Sequence, residues 1–252
     1  GSRAAVQGSG GGKKLMTSNL RRYAAWQLRD FIRDRGIALL LVGFLIGFTI
    51  IGPFKAMGGN LDERMAERLL SATLAQVAFV AAFIALNGII SNDRKLGYYR
   101  FLFSKPVSIP AYYTQIFVIY LIGFMLVCSI LLGIFAVFAQ PVPPAGPLLF
   151  CALVFLSLGG IAFLISSLFR YDWLILAGVF LGSSILYTIW QYEEGWKRMV
   201  LAVLPPIYKL PQLMPSILEG RSIDTQAVLW LLGYSAICFA AGLVVLKRRP
   251  FE

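Results

Sequence analysis

Six long, nearly unbroken apolar runs organise this chain, approximately Gly36–Phe54, Leu69–Ile90, Tyr112–Ala139, Pro147–Phe169, Trp173–Trp190 and Ala227–Leu246. Each comes near the roughly 20 apolar residues that an α-helix needs to cross about 30 Å of hydrocarbon. The pattern predicts an all-α membrane protein with six transmembrane helices. The first and fifth runs are the shortest, and the fourth and fifth are almost contiguous, with Tyr171 and Asp172 at the centre of their link.

Three stretches between the runs are neither plain loops nor spans. The first, NLRRYAAWQLRDFIRDR from Asn19 to Arg35, follows a cap candidate at Ser18 or Asn19. At about 100° per residue, Leu20, Tyr23, Ala24, Leu28, Phe31 and Ile32 share one broad face, and Arg22, Arg29 and Arg33 cluster on another. This predicts an amphipathic helix lying at the membrane interface, with Tyr23, Trp26 and Phe31 among its residues and Tyr23 and Trp26 as the interfacial anchors. The second, SNDRKLGYYRFLFSKPVSI from Ser91 to Ile109, is too polar to cross a bilayer and too apolar for a solvated loop. Leu96, Tyr99 and Phe103 fall on one helical side, Arg94, Lys95 and Tyr98 largely elsewhere, and Pro106 stops the helix. The third, Trp190–Gln226, holds two apolar pieces, Trp196–Leu204 and Leu210–Leu218, interrupted by Pro205, Pro206, Pro211 and Pro215. Both are too short to span, so they read as re-entrant or interfacial helices, and backbone that breaks at membrane depth must be shielded by protein or line a cavity.

Composition agrees with the pattern. Of 252 residues 58% are hydrophobic and 14% charged, with a mean hydropathy of +0.75, where a soluble domain carries about a quarter charged residues. Residues 16–252 are expected to form a single membrane domain, and GSRAAVQGSGGGKKL (residues 1–15) reads as a tag ending in a flexible linker. Charge sets the orientation. With the N-terminus inside, sixteen of the 23 Lys and Arg face the cytoplasm, and the other seven are matched by seven acids. The net charge of +11 therefore sits on one face, as the positive-inside rule requires, with both termini cytoplasmic. Anionic lipid headgroups, not nucleic acid, are the natural counterpart of that charge.

The chemistry on offer is sparse. There is no histidine, which removes many metal and acid–base schemes. Cys128, Cys151 and Cys238 all lie inside apolar runs and read as small packed hydrophobes. Gly8–Lys14 superficially resembles a phosphate-binding loop, but Gln7 stands where its first glycine belongs and Lys14 follows Lys13 in place of Ser or Thr. No nucleotide site is visible, and neither catalytic residue, cofactor nor metal is expected in this chain. Glu193, Glu194 and Arg198 resemble the paired glutamates of membrane-embedded prenyl-type proteases, a reading that fails for want of histidines. Ionisable groups are nearly absent from the spans, leaving Thr49, Gln76 and Asn87 as candidate path-lining residues. Gly43–Gly47 and Gly178–Gly182 have the small-xxx-small spacing that lets helices approach. An apolar, uncharged lining would suit a lipid-like or amphiphilic cargo.

The segment DRKLGYYRFLFSKPVS resembles the link between spans two and three in permease subunits of ABC exporters of the ABC-2 class. There a polar, Gly-containing turn leads into aromatic and leucine residues, then a small residue, a basic one, Pro and Val. Lys95 and Tyr98 stand where that pattern favours glutamate and threonine. The amphipathic N-terminal helix, LISSLFR (Leu164–Arg170) and GLVVLKRRPFE (Gly242–Glu252) are also similar to that family. The resemblance implies that Lys95, Leu96, Tyr98, Tyr99, Leu102 and Phe103 belong to a cytoplasmic coupling helix that docks into a separate ATP-binding subunit. It further implies two copies of that subunit, which would bind ATP and Mg, and a second permease chain, identical or not. The extracellular helices between spans five and six would roof the exit, and a bacterial inner membrane is the expected location. A non-transporting membrane scaffold or assembly factor is the alternative from another class.

Overall fold

The computed structural model describes residues 23–56, 63–90, 108–138, 143–169, 172–193, 195–218 and 220–248. Among these residues every regular element is helical and no strand occurs. A first helix, α1 (residues 23–31), runs through a π turn at Ile32–Gly36 into α2 (Ile37–Ala56). There follow α3 (Glu63–Leu86), α4 (Ile109–Phe138), α5 (Ala145–Leu168) and α6 (Asp172–Trp190). Two short helices, α7 (Trp196–Val203) and α8 (Leu210–Leu218), flank a 3-10 turn at Pro206–Lys209, and α9 (Thr225–Arg248) completes the order.

Among the described residues, five helices are long and apolar enough to cross a membrane: Leu69–Leu86 within α3, then α4, α5, Trp173–Trp190 within α6, and α9. The chain therefore has the character of an integral membrane protein. The first expected run coincides with α2, which is 20 residues long and carries Pro53 and Lys55 near its end. The second run was expected to reach Ile90, but α3 stops at Leu86 and residues 87–90 form a turn. The stop is local: Gly88 adopts φ +72°, a left-handed conformation that glycine takes without penalty and that ends a helix.

The amphipathic segment does not lie apart from the bundle. Because α1 and α2 are joined through π geometry, they form one continuous helical path, and the inner face of α1 packs on α4. Phe31, on the apolar face of that helix, is 1% exposed and packs in the core. Its ring occupies the space in which a side chain at Gly123 would stand, and lies 5.0 Å from the Tyr120 ring. Trp26 remains exposed and Tyr23 is half-buried.

At the centre stands α5, buried along most of its length, with α3, α4, α8 and α9 around it. Hydrocarbon is no worse a solvent for Leu than another helix is, so packing in a bilayer relies on close contact and interhelical hydrogen bonds. Both are present here. Phe117, Phe163 and Phe239 pack ring against ring, with Phe239 at 4.9 Å from Phe117 and 4.5 Å from Phe163. Against α9, the Ser235 hydroxyl donates to the Leu156 carbonyl at 2.5 Å and accepts from the Gly160 N–H at 3.1 Å. Leu156 and Gly160 are the two ends of one turn of α5, so a side chain of α9 engages the backbone ladder of the central helix. A Cβ at position 160 would strike the Ser235 carbonyl oxygen.

The Pro-rich segment after α6 folds onto one end of the bundle. Leu210, Leu213 and Ile217 turn one face of α8 inward, and the Ile217 carbonyl lies where a Cβ at Gly146 would be. Tyr208 stacks on Tyr187 of α6 at 3.8 Å and 11°, Gln212 Nε2 donates to the Tyr187 hydroxyl, and the Tyr234 hydroxyl of α9 donates to the Val203 carbonyl.

Candidate functional site

The residues with the strongest sequence argument for a role, Lys95, Leu96, Tyr98, Tyr99, Leu102 and Phe103, lie outside the described residues. What is described is the stem from which they emerge. On one side the stem ends in Ile89 and Ile90, both buried, and the Ile90 N–H donates to Ser166 Oγ of α5 at 3.3 Å. On the other it resumes at Ser108, whose Oγ accepts from the Ala111 N–H and caps the first turn of α4. Tyr112 and Tyr113 then enter the core at once, with rings 5.2 Å apart and edge-on. Both feet of the segment are thus anchored to the rigid centre.

Beside this stem sits α1. Tyr23 meets Tyr112 edge-on at 6.4 Å, and Gln115 Nε2 donates to Gln27 Oε1 at 3.3 Å. Gln27 is 3% exposed, and its own amide nitrogen has no hydrogen-bond partner. Such a group costs about 1–3 kcal/mol to bury, so the α1–α4 contact is held below the strength its aromatic packing would give. Two turns further on, Arg35 Nη1 donates to the Ala85 carbonyl at 2.5 Å, and its guanidinium lies 4.5 Å from the Tyr120 ring centroid. Ala85 is in the last turn of α3, where carbonyls lack intrahelical partners and carry partial negative charge, so a fixed cation there is favourable. Arg35 therefore ties the α1–α2 junction to the end of α3 and to α4 together.

Asp30 brings electrostatic tension to the same helix. Partial burial raises its carboxyl above the ordinary 3.8, the neighbouring Asp34 charge adds to the rise, and Arg35 and Arg33 offset part of it.

The candidate path residues take other positions. Thr49 is exposed, and its hydroxyl donates to the Ile46 carbonyl of its own helix at 2.9 Å. Gln76 is exposed on α3, and Asn87 is exposed in the turn that follows it. Among the described residues, no three Cys, Asp or Glu side chains gather as a metal cage would require.

Gln27, Arg35 and Ser166 were not singled out from the sequence. For Gln27 a signal existed: it stands four residues from both Tyr23 and Phe31, a lone amide in the middle of an apolar stripe. Ser166 had none, since its partner is a backbone N–H 76 residues away.

No family model, no curated protein and no solved structure matches this chain.

Proposed function

We propose that this chain is a six-span permease subunit of an ATP-driven exporter of the ABC-2 class, working as a pair of permeases with two separate ATP-binding subunits. The observation that carries the reading is the basic, aromatic segment 91–107, with Leu96, Tyr99 and Phe103 at helical spacing, set between two long apolar runs. Its support in the fold is the stem. A segment that receives force must pass it on, and here both feet are fixed, one by the Ile90–Ser166 hydrogen bond and one by buried Tyr112 and Tyr113. The adjoining α1 is tied to the same ends of α3 and α4 through Arg35 and Gln27.

In this reading α2 is the sixth span, both chain ends are cytoplasmic, and Lys95–Phe103 docks into a cleft of the ATP-binding partner. ATP binding draws the two coupling segments together, and the bundles switch which side the path between them faces. The second permease chain packs against a helix that the single chain leaves open. On α6, nothing lies within 4 Å of a Cβ added at Gly178 or Gly182, and Leu174, Leu181 and Ile185 around them are exposed. Small residues four apart are the usual seam between membrane helices.

The test is co-expression with the ATP-binding subunit encoded nearest this gene. The purified chain alone should show no ATPase activity and the pair should form a stable complex. Tyr99→Ala and Phe103→Ala should each lower cargo-stimulated turnover by roughly tenfold, the loss typical of an aromatic anchor at an interface. Unchanged turnover with an intact complex would count against the coupling role, and a stable partner without nucleotide motifs would favour a scaffold.

A further inference from the structure

A cavity of about 320 Å³ lies where α2, α3, α4 and α5 meet. Its wall is almost wholly hydrocarbon: Val77 and Leu74 from α3, Leu131 and Phe135 from α4, and α2 at Gly43, where Leu131 fills the place of a side chain, and at Gly47, where the place is open. The space runs from Phe138 at the end of α4 down to Cys128, about 15 Å at 1.5 Å per residue. It is not sealed. Phe44, Phe48 and Phe138 belong to its wall and are also 46%, 62% and 55% exposed, so the cavity opens sideways between α2 and α4 onto a surface that faces hydrocarbon in a membrane.

One group in this wall is out of place. Thr73 is 8% exposed, and its buried hydroxyl has no hydrogen-bond partner. Other buried hydroxyls are satisfied: Ser157 donates to Leu153, Ser183 to Phe180, and Ser235 to Leu156. A helical threonine ordinarily bonds back to a carbonyl of the preceding turn, and Thr73 does not. An unpaired buried hydroxyl costs on the order of 1–3 kcal/mol unless something brings it an acceptor.

We infer that this cavity holds one acyl chain of a diacyl phospholipid taken from the surrounding bilayer, and that Thr73, whose hydroxyl oxygen is covered in the structure described, turns about χ1 to donate to the ester carbonyl of that chain. Size, position and chemistry agree. An apolar cavity of about 150 Å³ takes a benzene ring, so 320 Å³ suits about a dozen carbon atoms. Thr73 stands one helical turn inside the apolar stretch of α3 that begins at Leu69. That is the depth of an ester carbonyl just below the headgroups, with the rest of the chain reaching inward past Val77 to Cys128. The sideways opening lets the chain enter while the headgroup and the second chain stay in the bilayer. This site does not depend on the exporter reading, since a lipid bound here would serve a transporter or a scaffold alike.

The test uses the full chain in nanodiscs of phosphatidylethanolamine and phosphatidylglycerol, the latter carrying a diazirine at the middle of one acyl chain. After illumination, adducts are mapped by peptide mass spectrometry. They should concentrate on residues 70–77 and on Leu131 and Leu132, well above Ile122 and Leu126, which are exposed on α4. Gly47→Leu, which places a side chain in the cavity, should lower the cavity adducts at least threefold and leave those at Ile122 and Leu126 unchanged. Thr73→Val keeps the shape, removes the donor, and should lower them at least twofold; if Gly47→Leu does not fold, this comparison decides alone. Labelling that follows surface exposure in every variant would overturn the inference. So would labelling by a diazirine fatty acid but not by the phospholipid, or cavity positions shielded from lipid by a second copy of the chain.

Discussion

Ser235 shows how much one hydroxyl can do in a helical bundle. It contributes almost no apolar area, yet it joins two helices by donating to Leu156 and accepting from Gly160 across a single turn of α5. The two partners differ in what their loss should cost. Ser235→Ala lets the Gly160 N–H return to the Leu156 carbonyl, so about 1 kcal/mol is expected. Gly160→Ala drives a methyl into the Ser235 carbonyl oxygen as well as its hydroxyl, and although the hydroxyl can turn away the backbone carbonyl cannot. About 1–3 kcal/mol is expected for such overpacking. Unfolding by SDS titration in mixed micelles should rank Gly160→Ala as the more damaging of the two; the opposite order would mean that the hydrogen bonds, not the close approach, set this contact.

Helix α1 is the element in which burial and charge conflict. Its inner face carries Tyr23, Gln27 and Phe31 onto α4, while Asp30 stands at the boundary with its carboxyl held above the ordinary 3.8, chiefly by burial and then by Asp34. A carboxyl raised in the docked state binds its proton more tightly there than when α1 is free. Docking is therefore strongest at acid pH and weakens as pH rises from 3.8 through the raised value. Asp30→Asn should remove that dependence and make α1 more protected from amide exchange than the parent at pH 7, with the two converging near pH 4. Periodicity placed Tyr23 and Phe31 of α1 on the face that packs, but it could not tell a membrane surface from a protein one. Phe31 fits either, and the decision rests with Gly123, nearly a hundred residues later, whose missing side chain makes the slot. The two short helices α7 and α8 were easier to foresee, because Pro205 and Pro206 end one helical pattern before the next begins.

At the scale of the molecule, the long helices were legible because each is a run of apolar residues, and five of them meet the length and hydropathy of a span. Which helix stands at the centre was not legible: α5 and α6 are comparably greasy, yet α5 is enclosed and most of α6 is not. Gln76 and Asn87 drew notice for their polarity and are exposed in the single chain, whereas the buried hydroxyl without a partner is Thr73, whose burial no local pattern announces. The open face of α6 makes the proposed pairing testable without touching the fold. A Cβ added at Gly178 or Gly182 meets nothing within the chain, so with Gly178→Ile or Gly182→Ile the thermal stability of the monomer should hold while light scattering in detergent shows the dimer lost. A dimer unchanged by both would move the interface elsewhere. The bridge from Ser235 to α5 also bears on how the protein is made. Its two bonded residues in α5 leave the ribosome 75 and more residues before the serine that joins them. Until α9 arrives, the central helix presents a vacant slot at Gly160 and an uncovered row of phenylalanines to the lipid and to the insertion machinery. Completion of the last described helix is what closes the core, so a chain stalled before it would be marked as unfinished by its most buried surface.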